Sequence, residues 1–174
     1  TPVIGSEITG VDLAQMTPDL ARTLRTLLAE RGVLVVRDQA LDHAAHKRVA
    51  SVFGSGTLHR HPLALASGSA DPDVLTVRTS ASSKYAVGDG WHTDVSCDPA
   101  PISASLLYMH EMPEGGGGDT VFASMTEAFA LLSEPVREFV RTLHAVHDGS
   151  LPWRETYGRE PDPGAVFNRT VHPV

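Results

Sequence analysis

The stretch Gly90-Trp91-His92-Thr93-Asp94-Val95-Ser96-Cys97-Asp98-Pro99-Ala100-Pro101 holds an imidazole and a carboxylate two residues apart, His92 and Asp94. In an extended strand, side chains at i and i+2 leave the same face, so both groups are expected to point into one cavity. A neutral nitrogen donor beside a hard anionic oxygen suits a divalent first-row metal. The pair supplies two of the three ligands in the two-histidine, one-carboxylate set that holds non-heme Fe(II). H-x-D alone recurs by chance, and the bland alternative is a buried His–Asp hydrogen bond without metal. The surroundings favour metal: Trp91 precedes the pair, a Pro-rich turn follows it, and four glycines lead into Asp119-Thr120. Cys97 is expected to be a plain thiol, open to oxidation near iron, rather than a ligand. The glycines 115–118 read as a tight turn; with no Lys-Ser/Thr after them, a phosphate loop is excluded. No H-E-x-x-H or H-x-x-x-H spacing occurs, which argues against a zinc hydrolase.

The elements that must position these residues follow from periodicity and capping. Residues 3–11 read as a short strand or hairpin arm. Thr17 is an N-cap with Pro18 at the first helical position, and Leu20, Leu24, Leu27 and Leu28 form one apolar stripe. That helix is expected to stop near Gly32. Val33–Val36 is a continuous aliphatic run, expected as a strand buried on both faces. Asp42 caps a second helix with Ala45, Val49, Val52 and Phe53 on one face, ending at Gly54-Ser55-Gly56. Further strands are expected over 74–78, 101–109, 119–123, 143–147 and 170–174. Residues 79–90 form a small, polar loop running into the metal motif, a common place for a lid. Ser124-x-x-Glu127 is a capping box opening a helix that resumes at Pro135, and residues 149–168 form an irregular excursion. Many short strands with a few early helices predict a β-rich α+β fold, such as a double-sheet jelly roll with flanking helices.

Composition narrows the class. The 174 residues suffice for one domain with a sizeable core. A formal net charge of -7 argues against nucleic acid or an anionic membrane as partner. Nine histidines mildly favour metal chemistry, although most are expected at surface or strand positions. A single cysteine excludes an internal disulfide framework and fits a reducing compartment. No apolar run reaches a membrane span, and Thr1-Pro2-Val3-Ile4-Gly5 is no signal peptide. A soluble cytoplasmic chain is the expectation.

Taken in order, several segments together resemble the TauD/TfdA family of Fe(II)/2-oxoglutarate-dependent dioxygenases, in its taurine/alkylsulfatase branch. They are Ile4–Leu13, Val33–Gln39, Phe53-Gly54 with His61-Pro62, Trp91–Ser96, Gly117–Ser124 and Val171–Val174. The resemblance covers nearly the whole chain as a single domain, 1–174, and implies a double-stranded β-helix core. It implies Fe(II) held by His92 and Asp94, and 2-oxoglutarate chelating that metal through its 1-carboxylate and 2-oxo group. Thr120 matches the threonine that binds the far carboxylate of 2-oxoglutarate, and His61 a histidine that contacts the sulfonate of taurine. The implied reaction couples O2-driven decarboxylation of 2-oxoglutarate to succinate with hydroxylation of a small anionic substrate. With a sulfonate or alkyl sulfate, it releases sulfite or sulfate plus an aldehyde, a role in sulfur metabolism. A homo-oligomer is expected. Left open are the same chemistry on an aryloxyalkanoate or carboxylate, and a non-catalytic, truncated metal-binding jelly-roll module.

Two departures stand out. The family's third metal ligand, a distal histidine, and its 2-oxoglutarate-binding arginine lie past the H-P-V segment, and the chain stops at Val174 before either. The domain is therefore expected to be incomplete at its C-terminus and inactive by itself; His144 and His147 match no family ligand. Val87-Gly88-Asp89-Gly90 and Ala64 also differ from the taurine enzymes, leaving room for a bulkier substrate.

Overall fold

The computed structural model describes residues 3–60, 71–83, 88, 90–151, 154 and 167–174. It divides into two compact units, Thr1–Leu58 with Leu106–Arg137, and His59–Ser105 with Glu138–Val174.

The first unit is built on a parallel strand–helix–strand. Strand β1 (Ser6–Ile8) pairs with β2 (Leu34–Val36) in register Ser6↔Leu34, Glu7↔Val35, Ile8↔Val36. Parallel neighbours need a long crossover, here helix α1 (Pro18–Arg31). Of the two readings of residues 3–11, the short strand holds, and its parallel pairing with β2 excludes a hairpin between the two. Thr17 caps α1 by accepting from the Leu20 amide, Pro18 occupies the first turn, and Gly32 ends it at φ 68 with its amide on Leu28 O. Only a residue tolerant of positive φ closes a helix this way without strain. Asp42 caps helix α2 (His43–Ala50), its carboxylate accepting from the Ala45 amide at 2.6 Å. Ala21 and Leu24 of α1 and Ala45 and Val49 of α2 are the buried apolar side chains among the described residues. β2 is half-buried rather than enclosed on both faces, with Val35 41% exposed, because a two-stranded sheet covers only one side. Gln39 ties the unit together: its Oε1 accepts from Leu13 N at 2.7 Å and its Nε2 donates to Val11 O at 3.0 Å. Tyr108 donates to Gln39 O at 2.9 Å. Helix α3 (Met125–Ala130) starts at Ser124, whose hydroxyl accepts from Glu127 N at 3.2 Å.

Helix α4 (Glu134–Val140) leads in sequence to the second unit. There β3 (His144–Asp148) and β4 (Arg169–Pro173) pair antiparallel, with Val146 opposite Val171 and Ala145 opposite His172.

The α+β class holds. Among the described residues, the two sheets, each of two strands, are too small to display a double-stranded β-helix. Residues 74–78, 101–109 and 119–123, expected as strands, form no ladder. The alternation over 101–109 is nevertheless physical, since exposure alternates residue by residue along it. An extended segment becomes a strand only when a neighbour takes up its N–H and C=O groups.

Candidate metal centre

His92 and Asp94 do come together, but not on a strand. Residues 94–97 form a turn closed by Asp98 N to Val95 O at 3.1 Å, with Val95 at φ 56. A β-branched residue in the left-handed region is a real outlier and costs about 1–3 kcal/mol. That rotation replaces the expected strand. It leaves His92 Nε2 3.2 Å from Asp94 Oδ1.

Each partner is oriented from its far side. His92 Nδ1 lies 2.9 Å from the carbonyl oxygen of Gly90, and Asp94 Oδ2 accepts from the Ser105 hydroxyl. Gly90 has φ 97, a rotation that suits glycine and sets where its carbonyl points. A carbonyl oxygen only accepts, so the bond puts the proton on Nδ1 and turns the Nε2 lone pair toward the carboxylate. Two acceptors 3.2 Å apart repel unless a cation, proton or metal, lies between them. Metal–nitrogen and metal–oxygen bonds are about 2.1 Å, so two donors at right angles on one ion stand about 3.0 Å apart. The observed separation fits. A buried hydrogen-bonded pair does not describe the site, because the two side chains are 53% and 49% exposed. An ion pair so exposed adds little stability.

Among the described residues, no group of three His, Cys, Asp or Glu side chains could hold a metal, and His92 and Asp94 meet as a pair without a third such side chain. His147 is occupied otherwise, its Nδ1 3.0 Å from Ser96 Oγ. Thr120 is exposed and follows Gly116, Gly117 and Gly118, all at positive φ. It sits in the other compact unit, on irregular chain rather than a strand. His61, the expected sulfonate contact, lies outside the described residues. Trp91, which precedes the pair, is 73% exposed. The Cys97 thiol is pushed up, first by burial and then by the neighbouring Asp98 carboxylate. Sequence reasoning missed Ser105 and the Gly90 carbonyl. A serine within an alternating run carries no signal of its role, whereas the Gly-Trp-His spacing put Gly90 within reach.

Over residues 1–174 the chain matches the family described as taurine catabolism dioxygenase TauD, TfdA family. The chain belongs to this family. Its TauD/TfdA relatives include the alpha-ketoglutarate-dependent dioxygenase cnsM of Penicillium expansum, 34% identical, covering 100% of this chain and 52% of that protein. The alpha-ketoglutarate-dependent sulfonate dioxygenase of Saccharomyces cerevisiae is 34% identical over 84% of this chain and 37% of its own length. An alkylsulfatase of Acinetobacter baylyi is 32% identical over 83% of this chain and 44% of its own. A crystal structure described as a candidate alpha-ketoglutarate-dependent taurine dioxygenase from Burkholderia xenovorans superposes with TM-score 0.71 at 26% identity. It covers 98% of this chain and 56% of that one. The chain thus spans about half, or less, of the length of these TauD/TfdA relatives.

Proposed function

We propose that the protein carrying this chain is an Fe(II)- and 2-oxoglutarate-dependent dioxygenase that hydroxylates a small sulfonate or alkyl sulfate ester. The observation that carries the reading is the His92–Asp94 pair: two donors 3.2 Å apart, with the imidazole tautomer set by Gly90 O, in a TauD/TfdA chain. In this reading His92 Nε2 and Asp94 Oδ1 hold the metal, and Ser105 keeps the second carboxylate oxygen turned away. Bound Fe(II), with 2-oxoglutarate and O2, supplies the oxidising power for C–H hydroxylation, the co-substrate leaving as succinate and CO2. Thr120 donates its hydroxyl to the far carboxylate of 2-oxoglutarate, a neutral donor that adds no competing charge. Hydroxylation at the carbon bearing the sulfonate or sulfate group gives an adduct that collapses to an aldehyde and sulfite or sulfate. In this reading a jelly-roll core surrounds the site, as membership of the TauD/TfdA family implies.

The sulfonate and sulfate classes are supported by the names of two relatives. The relative cnsM matches the whole chain under a name that specifies no sulfonate, which keeps another small anionic substrate as the second reading. Succinate formation by the full-length protein, dependent on both Fe(II) and O2, tests the chemistry across sulfonates, alkyl sulfates, aryloxyacids and carboxylates. Sulfite or sulfate release identifies the first class. A phenol or hydroxylated acid identifies the second, and no turnover with any of them refutes the activity.

A further inference from the structure

The turn that follows the ligand pair is gripped by the β3–β4 hairpin and its flanks. Three consecutive turn residues are bonded. His147 Nδ1 meets Ser96 Oγ at 3.0 Å, Thr170 Oγ1 donates to Cys97 O, and His172 Nε2 lies 3.0 Å from Asp98 O. Asn168 Nδ2 adds a bond to Asp98 Oδ1 at 2.6 Å. The carbonyl on Asp98 only accepts, so His172 carries its proton on Nε2. The His147 and His172 rings meet edge to face, with centroids 5.5 Å apart. The fit is close: a Cβ on Gly149, just past β3, would come within 2.8 Å of Cys97 Sγ.

These contacts bear on Asp94 through one residue. Val95 sits between the ligand and the gripped segment at φ 56, and a rotation that a valine resists persists only where its surroundings over-determine it. The hairpin supplies that restraint. Gly90 and Ser105 hold the ligand pair on its other sides, so releasing the turn frees the carboxylate along one direction.

We propose that His172, Thr170 and His147 are positioning residues for Asp94, acting through the turn Val95–Asp98. This rests on reading His92 and Asp94 as metal ligands. The alternative is that the hairpin only secures the turn to the fold, with no effect on the metal.

The test uses the full-length protein and Co(II) as probe, reading affinity and the visible d–d spectrum beside the thermal midpoint. His172→Leu and Thr170→Val are expected to weaken Co(II) binding about tenfold, at the low end for groups that orient metal ligands, and to alter the spectrum. His172→Gln, whose amide can still donate to the Asp98 carbonyl, is expected to restore both. Variants that melt earlier yet keep the parent's affinity and spectrum would overturn the proposal. Should His172→Leu not fold, Thr170→Val decides alone, because it keeps the β-branched shape and removes only the donor. A parent that binds no Co(II), or binds it equally after His92→Ala, refutes the metal-pair reading itself and this proposal with it.

Discussion

At the scale of single residues, the His92–Asp94 pair, Thr120 and His46 make separate predictions. His92→Ala or Asp94→Ala is expected to abolish iron binding and turnover in the full-length protein, measured by metal analysis and succinate formation; activity retained in either refutes the assignment. Thr120→Val is expected to weaken 2-oxoglutarate binding by about 1–3 kcal/mol, the worth of a hydrogen bond to a charged acceptor. Calorimetric titration reads that loss directly. His46 lies against Tyr108, ring centroids 6.1 Å apart. Burial holds its imidazole below the ordinary value, with His43 and His110 acting the same way and a backbone bond at Leu106 opposing them. The unfolded chain therefore takes up a proton that folded His46 resists. Stability present above the ordinary histidine value, about 6.5, is lost as pH falls through the lower folded value. Urea unfolding on both sides of that value should show a drop that His46→Gln removes; an equal drop in the variant would place the cause elsewhere.

At the scale of elements, the helices were legible because their signals are local. The Thr17 hydroxyl needs only an amide three residues on, the Asp42 carboxylate likewise, and Gly32 only its own positive φ. Thr17→Ala is expected to lower stability by about 1 kcal/mol, read as a shifted denaturation midpoint with an unchanged slope. The strands were half legible. The runs expected as strands over 143–147 and 170–174 became β3 and β4 because they find each other, whereas the run over 101–109 shows alternating exposure and no ladder. Periodicity tells which side chains share a face. It does not supply the neighbouring chain that makes a strand.

At the scale of the whole molecule, apolar content and burial are out of proportion. Hydrophobic residues make up 41% of the chain, yet among the described residues four apolar side chains are buried, while Leu107, Val121, Phe122, Met125, Leu131 and Phe139 are all more than half exposed. The 174-residue chain prepared alone is expected to bind a hydrophobic dye such as ANS and to melt without a sharp transition. A cooperative transition with no dye binding would show that these side chains find cover by themselves. No helix among the described residues is long and apolar enough to cross a membrane. The sequence by itself determined the helix starts, the α+β class and the family, through caps, periodicity and the order of the W-H-T-D and G-G-D-T segments, because each signal is carried by residues close together along the chain; the second helix stops at Ala50, short of the expected Gly54. The sequence also paired His92 with Asp94, but on an expected strand, where the structure has a turn. Only the tertiary structure put Val95 in the left-handed region, brought Ser105 to the Asp94 carboxylate and set the hairpin against the following turn. Those contacts join residues 11 to 74 positions apart, and no local pattern encodes which distant side chain closes on a given backbone oxygen.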